Sequence, residues 1–383
     1  MKKLLVIKNI PTPYHIPLFN ELNRQLEDRG LKLKVLFGAL GYRRRKWEID
    51  MSQCKFDYIV LPSKHLHYLN PEKVSFTYPG LYRIISEENP SVIITNGFSI
   101  ATMKLWLRSL FLPIPYLIWS EAVQLKNKRV SFLRRIQRKI LVNKASGFIA
   151  PGTKAKKYLT SLGAKQDKVT IAISTVDTKF FIEETKRIRN NLRLGNEKKR
   201  LLYIGDLIKR KRVDRLFRVI KVLLRWRQDF VLEVVGGGPE MGNLRRLSEI
   251  LKIIEFVRFE GFKQKEEIPQ YLARADCFLF PSGYDEWGLV LVEAMATELP
   301  CISSIQAGAT YDLIEEGVTG FAMDFSETEK VVERINWILN NPKQSKEIGR
   351  NASLFIAENV NLQKSVVGFV KAITRTLEEP ALS

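Results

Sequence analysis

Short apolar runs alternate with longer amphipathic segments along this chain. In the first half, the pattern predicts strands in LLVIKNI, LKLKVLFGA, DYIVLP, SVIITNG, PYLIWS and GFIAPG. After a charged, helix-like stretch, ETKRIRNNLRLGNEKKR, the alternation resumes with strands in RLLYIGD, FVLEVVGGG, VRFEGF, CFLFPS and CISSI. Strands that alternate with helical segments are typical of a mostly parallel sheet with helices on both faces. The pattern therefore predicts an α/β fold.

The two series of strands predict two Rossmann-like domains. A chain of 383 residues is long for one hydrophobic core, and no fixed-period repeat is evident. We expect an N-terminal domain at 1–185, completed by a C-terminal helix at 363–383, and a second domain at 186–362. Ligands of such sheets bind beyond the carboxyl ends of the strands, so two facing domains would form a central interdomain cleft.

No apolar run approaches the roughly 18–20 residues that cross a bilayer. The longest candidate, LFLPIPYLIW, is short and interrupted by two prolines. The N-terminal run LLVI, which ends at Lys8, is shorter than the core of a signal peptide and fits a first strand better. We therefore expect a cytoplasmic protein.

The cysteines and histidines indicate neither a disulfide framework nor a metal site. Cys54, Cys277 and Cys301 show no pairing pattern, which is consistent with a reducing compartment. His65 and His67 form an isolated pair without a third ligand at suitable spacing. No metal cofactor is expected.

The formal net charge of +21 predicts attraction to an anionic partner. The segment Lys126–Lys144 is basic throughout, and it carries an apolar stripe at helical spacing that can face a core or a membrane. The stripe consists of Val130, Leu133, Ile136 and Ile140, and the basic residues around it are Arg129, Arg134, Arg135, Arg138 and Lys139. Three interpretations stay open: a solvated helix face, peripheral contact with anionic lipid, or nucleic-acid binding.

Four predicted strands of the second half are followed by glycine-containing motifs. They are YIGDLIKRKRVDRL, EVVGGGPEMGNL, RFEGF and FPSGYDEWGLVLVE. Each motif alone is often only a turn, and none matches the dinucleotide or phosphate-loop fingerprints. Four of them in one α/β half, in this order, are more specific for a ligand site at the strand ends.

The last motif leads into an apolar helix that carries Glu293 in its middle. A buried carboxylate without a partner is costly, so it usually has a partner or a shifted pKa. Apolar residues on both sides of Glu293 argue against the alternative, a surface helix with this residue on its wet side.

These motifs resemble the retaining, nucleotide-sugar-dependent glycosyltransferases of the GT-B fold, in glycosyltransferase family four (the group 1 glycosyltransferases). The resemblance covers Leu201–Met323 and loosely the rest. Its most specific stretch is DEWGLVLVEAMATELPCISS, and IEEGVTGFAM also fits. It implies transfer of a sugar from a nucleotide-sugar, which we expect to be a UDP-sugar. The acceptor would be a hydroxyl of a glycan or a lipid-linked molecule in cell-surface polysaccharide or glycolipid synthesis.

The resemblance also implies roles for individual residues. Glu293 would accept hydrogen bonds from the ribose hydroxyls, Asp285 would approach the transferred sugar, and Lys211 would neutralise the leaving diphosphate. The start of the helix would bind the diphosphate and Phe262 would line the base pocket. The other donor-binding candidates are Gly205, Lys209, Arg210, Gly237, Gly238, Glu286, Trp287, Gly288, Leu289 and Val290.

The chain departs from the family pattern at several positions. Asp285 replaces the usual Glu, and Asp206 stands where an Arg is common. NIPTPYHIP replaces a Gly-Gly loop after the first strand, and YLIWSEAV lacks the family histidine. We expect His15 in a strand-end loop, either in the acceptor or phosphate region or as a plain loop residue. The acceptor-region candidates are Pro13, Tyr14, His15, Asn96 and Ser120, and Glu121 is a further catalytic candidate.

Three other functions stay open at this point. The departures suit a catalytically silent GT-B-like binding or partner subunit. The charge suits a nucleic-acid-binding protein, but no recognisable module for one is visible, so we expect no nucleic-acid partner. A GT-B-like sugar-nucleotide epimerase is the third.

Overall fold

The chain folds into two compact units, Met1–Ser174 with Leu362–Ser383, and Thr175–Asn361. The structure is a computed structural model that describes residues 2–42, 45–67, 74–124, 131–191 and 198–378. No helix in these ranges combines the length and the apolar character needed to cross a membrane.

The first unit is built on a parallel sheet in the order β3-β2-β1-β6-β7-β8-β9. The strands of this sheet are β1 (Lys2–Lys8), β2 (Leu31–Phe37), β3 (Asp57–Val60), β6 (Val92–Asn96), β7 (Tyr116–Trp119), β8 (Gly147–Ala150) and β9 (Val169–Ile171). A separate antiparallel pair is formed by β4 (His65–His67) and β5 (Val74–Phe76). Its helices are α1 (His15–Glu27), α2 (Leu81–Glu88), α3 (Ile100–Ser109), α4 (Phe132–Lys144), α5 (Thr153–Ser161) and the C-terminal α14 (Leu362–Glu378).

Helices cover both faces of this sheet, which explains why its central strands are apolar without alternation. The C-terminal helix α14 packs against α1, β8 and β9, and its Phe369 ring lies 4.7 Å from that of Trp119. Gly368 permits the close approach, because a Cβ there would lie 2.5 Å from the carbonyl oxygen of Ile171.

The second unit contains a parallel sheet in the order β12-β11-β10-β13-β14-β15. Its strands are β10 (Lys199–Ile204), β11 (Phe230–Val235), β12 (Val257–Gly261), β13 (Cys277–Phe280), β14 (Cys301–Ser304) and β15 (Phe321–Met323). Its helices are α6 (Thr178–Asn191), α7 (Val213–Leu223), α8 (Met241–Ile250), α9 (Ile268–Arg274), α10 (Leu289–Ala296), α11 (Thr310–Leu313), α12 (Thr328–Asn340) and α13 (Pro342–Asn359).

The boundary expected at 185/186 is wrong for α6, which belongs wholly to the second unit. Helix α6 packs on α9, where the Arg189 guanidinium donates to the carbonyl oxygens of Leu272 and Ala273 at 3.3 and 3.1 Å. These carbonyls lie in the last turn of α9, where helix carbonyl groups have no partner within the helix. The contact holds α6 against the second unit, although its charged sequence resembles that of a linker.

Candidate functional site

Glycines at the ends of β10 and β11 allow the loops of the second unit to pack backbone against backbone. Gly236 and Gly238 have φ of +147° and +157°. A Cβ on Gly236 would lie 1.9 Å from the Gly205 carbonyl oxygen, and one on Gly238 would lie 2.3 Å from that of Leu207. A side chain at either position would therefore separate the loops.

The middle glycine of this run links the loops to the end of β12. The Gly237 carbonyl oxygen accepts from the Leu207 amide at 2.9 Å. A Cβ on Gly237 would lie 3.5 Å from Cβ of Phe262, which is partly buried. The loops after β10 and β11 are thus hydrogen-bonded to each other, and Phe262 at the end of β12 lies next to them.

Two cations converge on one buried carboxylate at the ends of β10 and β13. Lys211 is 8% exposed and donates from Nζ to Asp285 Oδ2. The Arg210 guanidinium lies 3.3 Å from Asp285 Oδ1 and donates to the Tyr284 carbonyl oxygen at 3.0 Å. Burial alone would raise the pKa of Asp285, but Lys211 and Arg210 outweigh it and lower the pKa below its ordinary value. Asp285 is therefore ionised at neutral pH.

Backbone hydrogen bonds hold the loop that carries Asp285. The carbonyl oxygens of Asp285 and Trp287 accept from the amides of Gly308 and Ala309 at 2.9 and 3.0 Å. The Trp287 side chain is buried, and its Nε1 has no hydrogen-bond partner in the described part of the chain. Glu286 is exposed and accepts from the Tyr284 hydroxyl at 3.2 Å.

Helix α10 starts beside this cluster, directly after Gly288. Gly288 has φ +117°, and a Cβ there would lie 2.8 Å from the Phe280 ring. No side chain caps the helix start, and Leu289 and Val290 are only partly buried. The amides of the first turn can therefore bind an anion.

Glu293 is partly buried on α10, with apolar neighbours that are fully buried. Burial raises its pKa to about 7, and Lys265 opposes the shift. Within the described ranges Glu293 makes no hydrogen bond or ion pair. Glu233 on β11 is a useful contrast, because it is fully buried but paired with Arg200 at 2.7 Å and Arg274 at 3.2 Å.

In the first unit, Lys8 ends β1 as a buried cation. Its Nζ donates to Asn96 Oδ1 at 3.0 Å, at the end of β6, and lies 3.8 Å from the ring centroid of Trp119, at the end of β7. Burial lowers the pKa of Lys8 to about 8, and Glu121 opposes the shift. Sequence reasoning missed Lys8, although a lysine that ends an otherwise apolar run was a signal for it.

The expectation that His15 lies in a loop is wrong, because His15 is the first residue of α1 and is buried. Its ring stacks on Phe19 and its Nδ1 has no hydrogen-bond partner among the described residues. Burial, and then Lys8, hold the pKa of His15 well below its ordinary value. His15 is therefore a neutral residue of the packed helix start.

The other candidates of the first unit lie around the same strand ends. Burial, and then Glu121, raise the pKa of Tyr14 to about 12. Ser120 is buried and accepts from the Ala122 amide at 3.3 Å, while Pro13 and Glu121 are partly buried. β1 and β6 are neighbours in the sheet, but the chain continues from β1 to β2 on one side and from β6 to β7 on the other. Parallel sheets bind ligands beyond the strand ends at such a point.

Two further candidates of the sequence analysis lie at the surface. Lys209 is exposed at the start of the 3-10 turn Lys209–Lys211. The basic segment lies outside the described residues up to Val130, and from Phe132 onward it forms α4. There the apolar stripe does not face the core: Leu133, Ile136 and Ile140 are 77%, 39% and 44% exposed.

The fold is that of the GT-B glycosyltransferases. The chain is similar to HepE of Anabaena, solved in complex with UDP, with a TM-score of 0.77 and 18% identity over 98% of this chain and 100% of that one. In the second unit, residues 184–355 match the family model of the glycosyl transferases group 1.

Curated relatives match over a similar region. A GDP-mannose-dependent alpha-(1-6)-phosphatidylinositol monomannoside mannosyltransferase of Mycolicibacterium smegmatis is 30% identical over 184 residues, which are 45% of this chain and 48% of the relative. N-acetyl-alpha-D-glucosaminyl L-malate synthase of Bacillus anthracis is 27% identical over 187 residues, 49% and 48% of the two chains. The chain spans about half the length of the curated relatives it matches.

Proposed function

We propose that this protein is a retaining, metal-independent glycosyltransferase that takes a sugar from a UDP-sugar. The observation that carries the proposal is the convergence of Lys211 and Arg210 on Asp285, beside the uncapped start of α10, within a group 1 domain. HepE, which has the same fold, was solved with UDP. The mannosyltransferase relative is named for GDP-mannose, so the base must be tested.

The second unit would bind the donor. The α10 amides and the two cations offset the charge of the diphosphate, which increases as the sugar leaves. Glu293 accepts from the ribose diol, which gives this carboxylate the partner that it lacks, and Phe262 contacts the base. Asp285 accepts from hydroxyls of the transferred sugar.

Retention of configuration requires the acceptor oxygen to approach the face of the sugar that the diphosphate leaves. The bond from the sugar to the acceptor oxygen forms as the bond to the diphosphate breaks, and a phosphate oxygen takes the proton of the acceptor hydroxyl. Protein cations can supply the electrostatic stabilisation, so we propose that transfer proceeds without a metal and is unchanged by chelator.

The first unit would bind the acceptor, a glycan or lipid-linked hydroxyl, at the strand ends around Lys8, Asn96 and Glu121. Glu121 would orient the acceptor hydroxyl. We further propose that the enzyme works in the cytoplasm, with the segment Lys126–Lys144 in contact with an anionic membrane.

The test is a thermal-shift screen of UDP-, GDP- and ADP-sugars, followed by transfer assays with the donor that binds. A bound ligand raises the melting temperature of the native state. Lys211→Ala and Glu293→Gln should reduce that rise, and Lys346→Ala, an exposed change in the same unit, should not. Binding without transfer or hydrolysis would support a catalytically silent subunit, for which Asp206 in place of the family Arg is the motivating feature.

A further inference from the structure

Exposed apolar side chains of the first unit are concentrated on two helices and one loop. Of the 21 exposed large hydrophobic residues in the described ranges, nine lie on α3, the loop after it and α4. Single exposed apolar residues are ordinary, but a contiguous patch marks a binding surface.

On α3 and its continuation, the exposed residues follow helical spacing. Met103, Leu107, Leu110 and Phe111 are 43%, 49%, 46% and 78% exposed, at positions i, i+4, i+7 and i+8. Leu112, in the loop, is 58% exposed. Met103 and Leu107 therefore form an apolar stripe on α3, and Leu110 to Leu112 extend it into the turn and loop that follow.

On α4, a second stripe is formed by Phe132, Leu133, Ile136 and Ile140, of which the first two are each 77% exposed. The two helices are in contact, and Gln137 Nε2 of α4 lies 2.8 Å from Sδ of Met103. Gln137 is one turn from both Leu133 and Ile140, so this contact brings the two stripes side by side.

The charge around the stripes is of one sign. Neither 99–120 nor 131–166 contains an acidic residue, and the exposed basic residues of α4 are Arg134, Arg135, Lys139 and Lys144. Arg138 is not available for binding, because its guanidinium donates to the Tyr158 hydroxyl and lies over the Phe98 ring.

We infer that the exposed stripes of α3 and α4 together form a docking surface for an anionic lipid bilayer, with Phe111, Phe132 and Leu133 inserted among the lipids. Apolar side chains that enter the acyl boundary beside arginines and lysines that remain at the headgroups are the physical requirements for interfacial binding. A second copy of the chain fits less well, because it would bring like charges together. The inference deepens the proposed function by naming the surface that reaches a lipid-linked acceptor.

The test is sedimentation of the full-length protein with vesicles of phosphatidylcholine, with and without phosphatidylglycerol. Wild type should bind the anionic vesicles, and the binding should weaken as salt rises from about 0.1 M to about 1 M. The double variant F111S/F132S should weaken binding by at least about tenfold, from lost apolar burial alone. The triple variant R134Q/R135Q/K139Q should weaken it by about 100-fold, at roughly fivefold per basic residue.

Matched controls in the second unit separate this surface from general effects. Ile250→Ser removes an apolar side chain that is 69% exposed, and K186Q/R225Q/R246Q removes the same charge from other exposed positions. Both should bind like wild type. If F111S/F132S does not fold, Leu112→Ser combined with Leu133→Ser tests the same surface.

Three outcomes would overturn the inference: no binding to anionic vesicles, equal losses in the controls, or unchanged vesicle binding with loss of a dimer in F111S/F132S. Transfer to a soluble acceptor should proceed at the wild-type rate in the surface variants. If instead the proposed activity is wrong, the wild type and every variant should show no transfer, while vesicle binding should be unaffected.

Discussion

Asp285 engages the two cations that are proposed to receive the donor diphosphate. In the structure, Lys211 and Arg210 already have an anionic partner, the Asp285 carboxylate. The incoming diphosphate must compete with this carboxylate for the cations. Asp285→Asn should therefore bind free UDP more tightly than wild type, although it should transfer sugar more slowly.

The magnitude follows from the geometry. A pair of unit charges 3.3 Å apart, as between Arg210 and Asp285, attract by about 5 kcal/mol at an effective dielectric constant of about 20. In wild type, most of this attraction is replaced by the attraction between the cations and the diphosphate when UDP binds. We therefore expect Asp285→Asn to gain only about 1.4 kcal/mol in binding free energy, which is tenfold in UDP affinity. Loss of the charged hydrogen bond to the sugar should lower kcat by about 100-fold.

Stability should change in the opposite direction to UDP affinity. Asp285→Asn leaves Lys211 buried without its carboxylate, so the variant without ligand should lose about 3 kcal/mol of unfolding free energy. Its melting temperature should therefore start lower and rise further when UDP is added.

Isothermal titration with UDP at pH 7 measures the affinity, and a transfer assay measures kcat. Asp324→Asn is the matched control, because it removes a carboxylate that lies 3.8 Å from Arg215 in the same unit. If Asp285→Asn binds UDP no more tightly than wild type, the carboxylate does not compete with the diphosphate and the reasoning is refuted.

Two further predictions concern ionisable side chains whose pKa is shifted by burial. Burial raises the pKa of Glu293 to about 7, so the folded state binds this proton more tightly than the unfolded state does. The unfolding free energy should therefore be highest below the ordinary carboxyl range, and it should fall by about 1–2 kcal/mol, after screening, as the pH rises through 7. UDP affinity should increase over the same interval as the carboxylate ionises, and Glu293→Gln should flatten both profiles in thermal unfolding and titration; an unchanged pH profile in this variant would contradict the assignment. Because burial lowers the pKa of Lys8 to about 8, the charged form destabilises the fold at pH 7, and Lys8→Met should raise the unfolding free energy by about 2 kcal/mol in urea denaturation. The exposed control Lys139→Met should have no effect on unfolding, and a destabilised Lys8→Met would show that Lys8 has a structural role.

The long strands were predictable because each is a continuous apolar run, as a sheet covered on both faces requires. The short strands β9 and β15 were not, because three residues at the edge of a sheet carry no usable periodicity. The boundary at α6 could not be read from composition, because the contact of Arg189 with α9 is made between segments far apart in sequence. His15 was misplaced for a similar reason, since the pattern did not show that α1 begins at this residue.

The candidate site was predictable where residue type and local sequence decide the geometry. Glycines between a strand and a loop, and a carboxylate in an apolar helix, have few physical explanations, so Gly237, Gly238 and Glu293 stood out. The pairing of Arg210 and Lys211 with Asp285 was not predictable, because it depends on β10 and β13 being neighbours in the sheet. Lys8 was missed because its burial depends on Asn96 and Trp119, which only the strand order brings to it.

Charged residues in the described part of the chain whose side chains are wholly or partly buried differ in whether the chain itself supplies an oppositely charged partner. Glu233 is paired with two arginines, and removing both would leave an uncompensated charge inside the second unit. Glu293 has only the electrostatic influence of Lys265, and Lys8 has an amide oxygen and an aromatic ring in place of a carboxylate. A charge without such a partner lowers the stability of the unliganded molecule, and a compensating interaction with a ligand would offset that cost. A donor diol at Glu293 and an acceptor group at Lys8 would supply that interaction, and for this reason loss of function and gain of stability are expected together when either charge is removed.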